Sequence, residues 1–202
     1  MRNLLTMVFL MSTTVISHAS EIGVIKVAHD GTTEIWATVV GEIVRGDGVK
    51  FLNLIDKNPE LKTVWLDSPG GLVVDGMQIA ELIKATDMNT YVHTNTSCDS
   101  ICAIMFLSGK TKFANQTSHI GFHAAFDTRT NKRSPEANVK IGWYLGSLGY
   151  SIDTVDVWFN TSPESIVNVN DAGLRDELDL GITELGDSPE DKSTWLSRLF
   201  KK

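Results

Sequence analysis

Apolar and polar positions along this 202-residue chain alternate between two periods. Short runs rich in β-branched residues, at 24–28, 33–43, 62–66, 89–93, 112–114, 119–124 and 166–169, predict strands. Between them, residues 48–55, 72–85, 100–107, 138–148 and 151–159 carry apolar residues at helical spacing and predict helices. A further helix is expected from Asp171, ending before Gly181. Asp30-Gly31 marks a hairpin between the first two strands, Asp47 is placed to cap the first helix, and Asn58-Pro59 stops it. The polar segment 127–135 reads as a loop. Strand-helix alternation of this kind predicts an α/β domain with a largely parallel sheet covered by helices.

The two ends follow other patterns. Arg2, an apolar stretch over residues 4–16 and the small residues of Ser17-His18-Ala19 compose a secretory signal peptide over residues 1–20. Cleavage is expected after Ala19, with an uncleaved anchor as the competing reading, and the apolar run is short for a membrane span. The expected location is periplasmic or secreted, with no stable membrane span after signal removal. Residues 21–186 form the expected domain. Residues 187–202, with Trp195, Leu196, Leu199 and Phe200, read as an amphipathic tail. Formal net charge is −7, and the basic clusters Lys132-Arg133 and Lys201-Lys202 are short. Nucleic acid is therefore not an expected partner.

Candidate chemistry begins at Ser68-Pro69-Gly70-Gly71, between a strand end and a helix start. Glycines there leave backbone N–H groups able to face an anion. Ser100 follows in Ser97-Cys98-Asp99-Ser100-Ile101-Cys102, and His123 in His119-Ile120-Gly121-Phe122-His123. A donor loop, a serine and a histidine are the parts of an acyl-transfer enzyme. Ser100 also fits a plain helix N-cap, and His123 a core histidine satisfied by backbone. His119 shares a strand face with His123 by parity and is a rival base. A Ser–His dyad and a Ser–Lys pair using Lys110 or Lys112 are further arrangements. Cys98 and Cys102, the chain's two cysteines, suit a disulfide in an oxidising compartment, two buried thiols or, last, a metal; no histidine or carboxylate pair at ligand spacing accompanies them. No metal or cofactor is expected.

In order and spacing, Gly41-Glu42-Ile43, Leu66-Asp67-Ser68-Pro69-Gly70-Gly71 with Gly76, the Ser100 helix and Ile120-Gly121-Phe122-His123 resemble the motifs of the Clp protease proteolytic subunit. The broader resemblance is to the Clp/crotonase superfamily, over residues 36–183. Its secreted relatives share the Cys-x-Ser-x-Cys pattern seen at Cys98 to Cys102. The resemblance implies a single-domain spiral of β-β-α units, serine hydrolysis of a peptide or protein substrate, and often homo-oligomeric rings. It carries the nucleophile onto Ser100, the base onto His123, and oxyanion donors onto Gly70 or Gly71 and Ile101. The third, acidic member maps near Ser162 rather than onto an acid; Glu164 ranks first, before Asp171 and Asp156. Asp99 and the cysteines crowd the nucleophile more than the family pattern does. Two function classes stay open: an exported serine hydrolase, a peptidase first, and a non-catalytic binding or assembly module. An acyl-CoA enzyme of crotonase type comes third.

Overall fold

The computed structural model describes residues 19–29, 32–162 and 164–185. Residues 1–18 of the signal segment, the Asp30-Gly31 turn and the amphipathic tail therefore lie outside the described residues. Strands β1 (Glu21–His29) and β2 (Thr32–Val40) pair antiparallel. Helix α1 (Asp47–Lys57), β3 (Thr63–Asp67), α2 (Val73–Ala85), β4 (Asn89–Val92), β5 (Ser97–Asp99) and α3 (Ile101–Leu107) follow. Next come β6 (Lys112–Asn115), β7 (His119–Phe122), the short β8 (Phe126–Asp127) and β9 (Lys132–Arg133), α4 (Pro135–Ser147) and α5 (Ile152–Asn160). Strand β10 (Val167–Asn168), α6 (Ala172–Glu177) and β11 (Ile182–Leu185) complete the described chain.

A six-stranded sheet has the order β1-β2-β3-β4-β6-β11, parallel from β2 onward. A second sheet, β10-β7-β5, stands beside it. Successive units send one strand to the large sheet and the next to the small one: β4 then β5, β6 then β7. Ser68 joins the two sheets, because its N–H donates to Ser97 O at 2.8 Å and its carbonyl accepts from Asp99 N at 2.9 Å. The α/β spiral of β-β-α units in a single domain is thus present.

Every residue of α3 is buried, which explains why its sequence is apolar all round. Around it pack Ile43, Leu66, Ile79, Ile83, Phe122 and Trp158, each side chain worth about 1.5–3 kcal/mol on full burial. The close fit of α2 on α3 depends on Gly76, where a Cβ would lie 2.4 Å from Ile101 Cγ1.

Three local readings are corrected. Asp47 is not the cap of α1: Gly46 holds that position at φ 95°, a turn glycine makes without strain. Asp47 instead reaches backward, accepting from Val44 N at 2.7 Å and from Ser20 Oγ at 2.6 Å. Residues 127–135 are not wholly loop, since β8 and β9 pair there as a small hairpin. Strands β5 and β11 lie where no strand was expected; at three and four residues they are too short to show a period.

Candidate active site

Strand β5 ends at Asp99 and α3 begins at Ile101, so one residue, Ser100, makes the whole turn. Its backbone has φ 57° and ψ −129°, a region that side-chain-bearing residues rarely adopt. Such a conformation costs about 1–3 kcal/mol and persists only where surroundings impose it. Two constraints do so. Ser100 N donates to Gly121 O at 2.8 Å. Cys98 and Cys102 form a disulfide with their Cα atoms 5.0 Å apart, bracketing the turn. A strand-to-helix turn strained at a serine presents its hydroxyl outward, as in nucleophile elbows.

The N-cap reading of Ser100 fails on geometry. Its hydroxyl makes no capping hydrogen bond, and its φ is not the extended value of a cap. Ser134, Ser151 and Asp171 cap their helices in the ordinary way, accepting from Ala137 N, Thr154 N and Gly173 N. Ser100 is the exception because the turn carries its side chain away from the helix start.

Gly70 lies against the serine. A Cβ on it would meet Ser100 Cβ at 2.6 Å and Asp99 O at 2.7 Å. Gly71 is held by the strap before α1, where Ile43 N donates to Gly70 O and Leu72 N to Ile43 O. The three expected oxyanion donors differ. Gly70 N–H is engaged by Ser68 Oγ at 3.1 Å, whereas the N–H groups of Gly71 and Ile101 have no partner among the described residues.

His123 follows β7 directly and is buried. Its Nδ1–H donates to Ala124 O at 3.1 Å, which leaves Nε2 as the bare, accepting nitrogen. Trp158 stacks on the ring at 6.3 Å and Phe126 lies tilted at 5.7 Å. Burial among these groups pushes the imidazole below its ordinary value, against smaller opposing effects of the Ala124 carbonyl and the Asp99 charge. Near neutral pH the ring is uncharged, the state a general base needs. Asn138 fixes the loop: its side chain bonds both N and O of Ala125 and accepts from Trp158 Nε1.

The remaining expected residues lie elsewhere. Glu164 is exposed, and its carboxylate accepts from Asn131 Nδ2 and Ser162 Oγ rather than from His123. Asp171 caps α6 and Asp156 is exposed on α5. No carboxylate is hydrogen-bonded to His123 among the described residues. Lys112 stands at the start of β6 against Tyr150, whereas Ser100 lies beyond the far ends of the strands. His119 Nδ1 bonds Asp99 Oδ1 at 2.6 Å, a pair that sequence reading missed because it forms across strands twenty residues apart. No cluster able to hold a metal ion occurs among the described residues.

Removing the disulfide tests its hold on the turn. Closing so short a loop stabilises a fold by about 2 kcal/mol, so Cys98→Ala with Cys102→Ala should lower the calorimetric Tm by about 4–8 °C. An unchanged Tm would show that the bridge imposes nothing on Ser100.

No family model matches the chain, and no curated protein matches it. Solved structures do. A mutant of a membrane-bound stomatin-specific protease superposes with a TM-score of 0.52 at 13% identity, over 75% of this chain and 96% of that one. The ClpP protease catalytic domain from Plasmodium falciparum gives 0.50 at 17% identity, over 73% and 82%. Identities this low speak for architecture alone, and in architecture the chain has a Clp protease-like fold.

Proposed function

We propose that the protein is an exported serine hydrolase, a peptidase by preference, with Ser100 as nucleophile and His123 as general base. The observation that carries this reading is the strained turn at Ser100, whose hydroxyl makes no hydrogen bond among the described residues. A fold has no reason to hold a serine at positive φ merely to start a helix. Ser100 Oγ attacks a substrate carbonyl carbon as its proton passes to His123 Nε2. The new oxyanion accepts from Gly71 N–H and Ile101 N–H, each such donor being worth about 2.7–4 kcal/mol. Collapse breaks the bond to the leaving amine, which takes the proton from His123. Water, deprotonated by the same histidine, then releases the acid and restores Ser100.

Both superposed proteins are named as proteases, which favours peptide over ester substrates. The oxyanion strap is held at Ile43 in the manner of a strand edge, a support for an extended peptide lying along Gly71. Assembly into a homo-oligomer belongs to the same proposal. Turnover of chromogenic peptide amides and esters tests it. Turnover lost after fluorophosphonate treatment supports a hydrolase. A well-folded protein that neither turns over nor labels is instead a binding or assembly module.

Export is part of the reading. Ser20 N donates to Glu42 O at 2.7 Å and Ser20 Oγ to the buried Asp47, so a chain beginning at Ser20 keeps its anchorage. Intact-mass analysis of protein secreted by its native host should give an N-terminus at Ser20 with both cysteines oxidised. A membrane-retained product beginning at Met1 would contradict export by cleavage.

A further inference from the structure

We propose that Asp99 is the acid of this site, a positioning residue whose carboxylate, held over Gly121 by His119, faces the charge that forms on His123. The proposal rests on the hydrolase reading above. It answers what that reading leaves open, because Glu164 is engaged elsewhere and no carboxylate bonds His123 among the described residues.

Parallel pairing sets the geometry. Ser97 lies opposite His119 and Asp99 opposite Gly121. His119 and Gly121 are two apart, and His123 is two further on. The side chain of Asp99 leans over Gly121: a Cβ there would sit 2.2 Å from Asp99 Oδ1. Only glycine leaves room for the carboxylate in that place, two residues along the chain from each histidine. His119 Nδ1–H donates to Oδ1 at 2.6 Å, whereas Oδ2 has no hydrogen-bond partner among the described residues.

Charge supplies the reason. When His123 takes the Ser100 proton it becomes a cation between Trp158 and Phe126, neither of which carries a charge. The Ala124 carbonyl already fixes its tautomer, so no acid is needed for that. What is missing is a compensating negative charge, and the register of β5 on β7 puts the Asp99 carboxylate over Gly121, two residues before His123. The titratable groups that interact with Asp99 are His119, bonded to it directly, His123 beyond the end of β7, and Asp67 at the end of β3, which in turn interacts with His93. Asp67 is pushed up, chiefly by burial and further by Asp99 itself. No proton moves onto Asp99 in this scheme. It acts through the field at His123, one residue before the nucleophile.

The test is Asp99→Asn in the full chain, which keeps shape and removes charge. Fluorophosphonate acylation is followed against pH, and the histidine ring signals are titrated by NMR. The plateau rate should fall about tenfold to a hundredfold. That is less than the roughly four orders of magnitude lost where an acid also sets the tautomer. The acid limb and the His123 titration should both move to lower pH, which a merely structural defect would not produce. His119→Gln, whose amide can still donate to Asp99, should keep most of the rate. If Asp99→Asn does not melt cooperatively, His119→Phe replaces it, and should lower the rate severalfold where His119→Gln does not. An unmoved limb and a plateau within twofold of the parent would overturn the role of Asp99. Loss of all activity in His119→Gln would overturn it too, by making His119 the base. A parent protein that does not label, yet whose His123 titration falls in Asp99→Asn, would refute the hydrolase and leave the pairing intact.

Discussion

Ser100→Ala is expected to eliminate hydrolysis and covalent labelling while leaving the fold in place. The hydroxyl takes part in no hydrogen bond among the described residues, so its loss should change stability by about 0.5 kcal/mol or less. Activity should drop to the background set by the oxyanion donors alone. A companion variant separates chemistry from structure. At φ 57° a glycine is unstrained, so Ser100→Gly should remove activity and yet raise stability. Relief of about 1–3 kcal/mol of strain, less about 0.5–1 kcal/mol for glycine's added chain entropy, leaves a net gain. Calorimetry and a single-turnover assay on both variants read the two effects. A serine whose removal costs activity and whose replacement by glycine adds stability is held for function. Loss of Tm in both variants would instead make Ser100 a structural residue.

His123→Ala should lower the acylation rate by about two to four orders of magnitude, the usual contribution of a positioned base. The same residue sets the pH dependence. Burial places its titration below the ordinary 6.5, so the neutral base persists and activity should extend below that value before falling. Stability moves with it. The unfolded chain binds a proton at this histidine more readily than the folded one does. Folding stability therefore decreases as pH falls from 6.5 toward the folded value, and is unaffected by this group above 6.5. In His123→Ala that part of the acid sensitivity should vanish. Urea titrations at several pH values check the sign; greater acid sensitivity in the variant would contradict it.

The sequence pointed to candidate parts of the proposed site better than to their wiring. Ser100, His123, Gly70 and Gly71 stood out as candidates because each sits at a junction between elements, where residue type and neighbours are constrained. The bridge between Cys98 and Cys102 was one of several open readings, and the chain brings the two sulfurs together because Cys98 lies on a strand rather than on the helix. Which glycine N–H is left without a partner among the described residues was not legible. That depends on Ser68 Oγ turning back onto Gly70 N, a contact no periodicity reports. The pairing of Asp99 with His119 depends on the register of β5 with β7, and β5 is only three residues long. For the same reason Glu164, chosen by its nearness in sequence to the expected acid, lies instead against Asn131 and Ser162. Trp158 and Asn138, which pack and fix the His123 loop, come from helices that sequence reading had treated only as cover.

The account turns on one atom, Ser100 Oγ. Treating the protein with a fluorophosphonate and mapping the adduct by tandem mass spectrometry reads it directly. The account predicts one phosphonyl group per chain, on Ser100, absent from Ser100→Ala and slowed in His123→Ala. An adduct on any other residue, or none on protein that melts cooperatively, would contradict it.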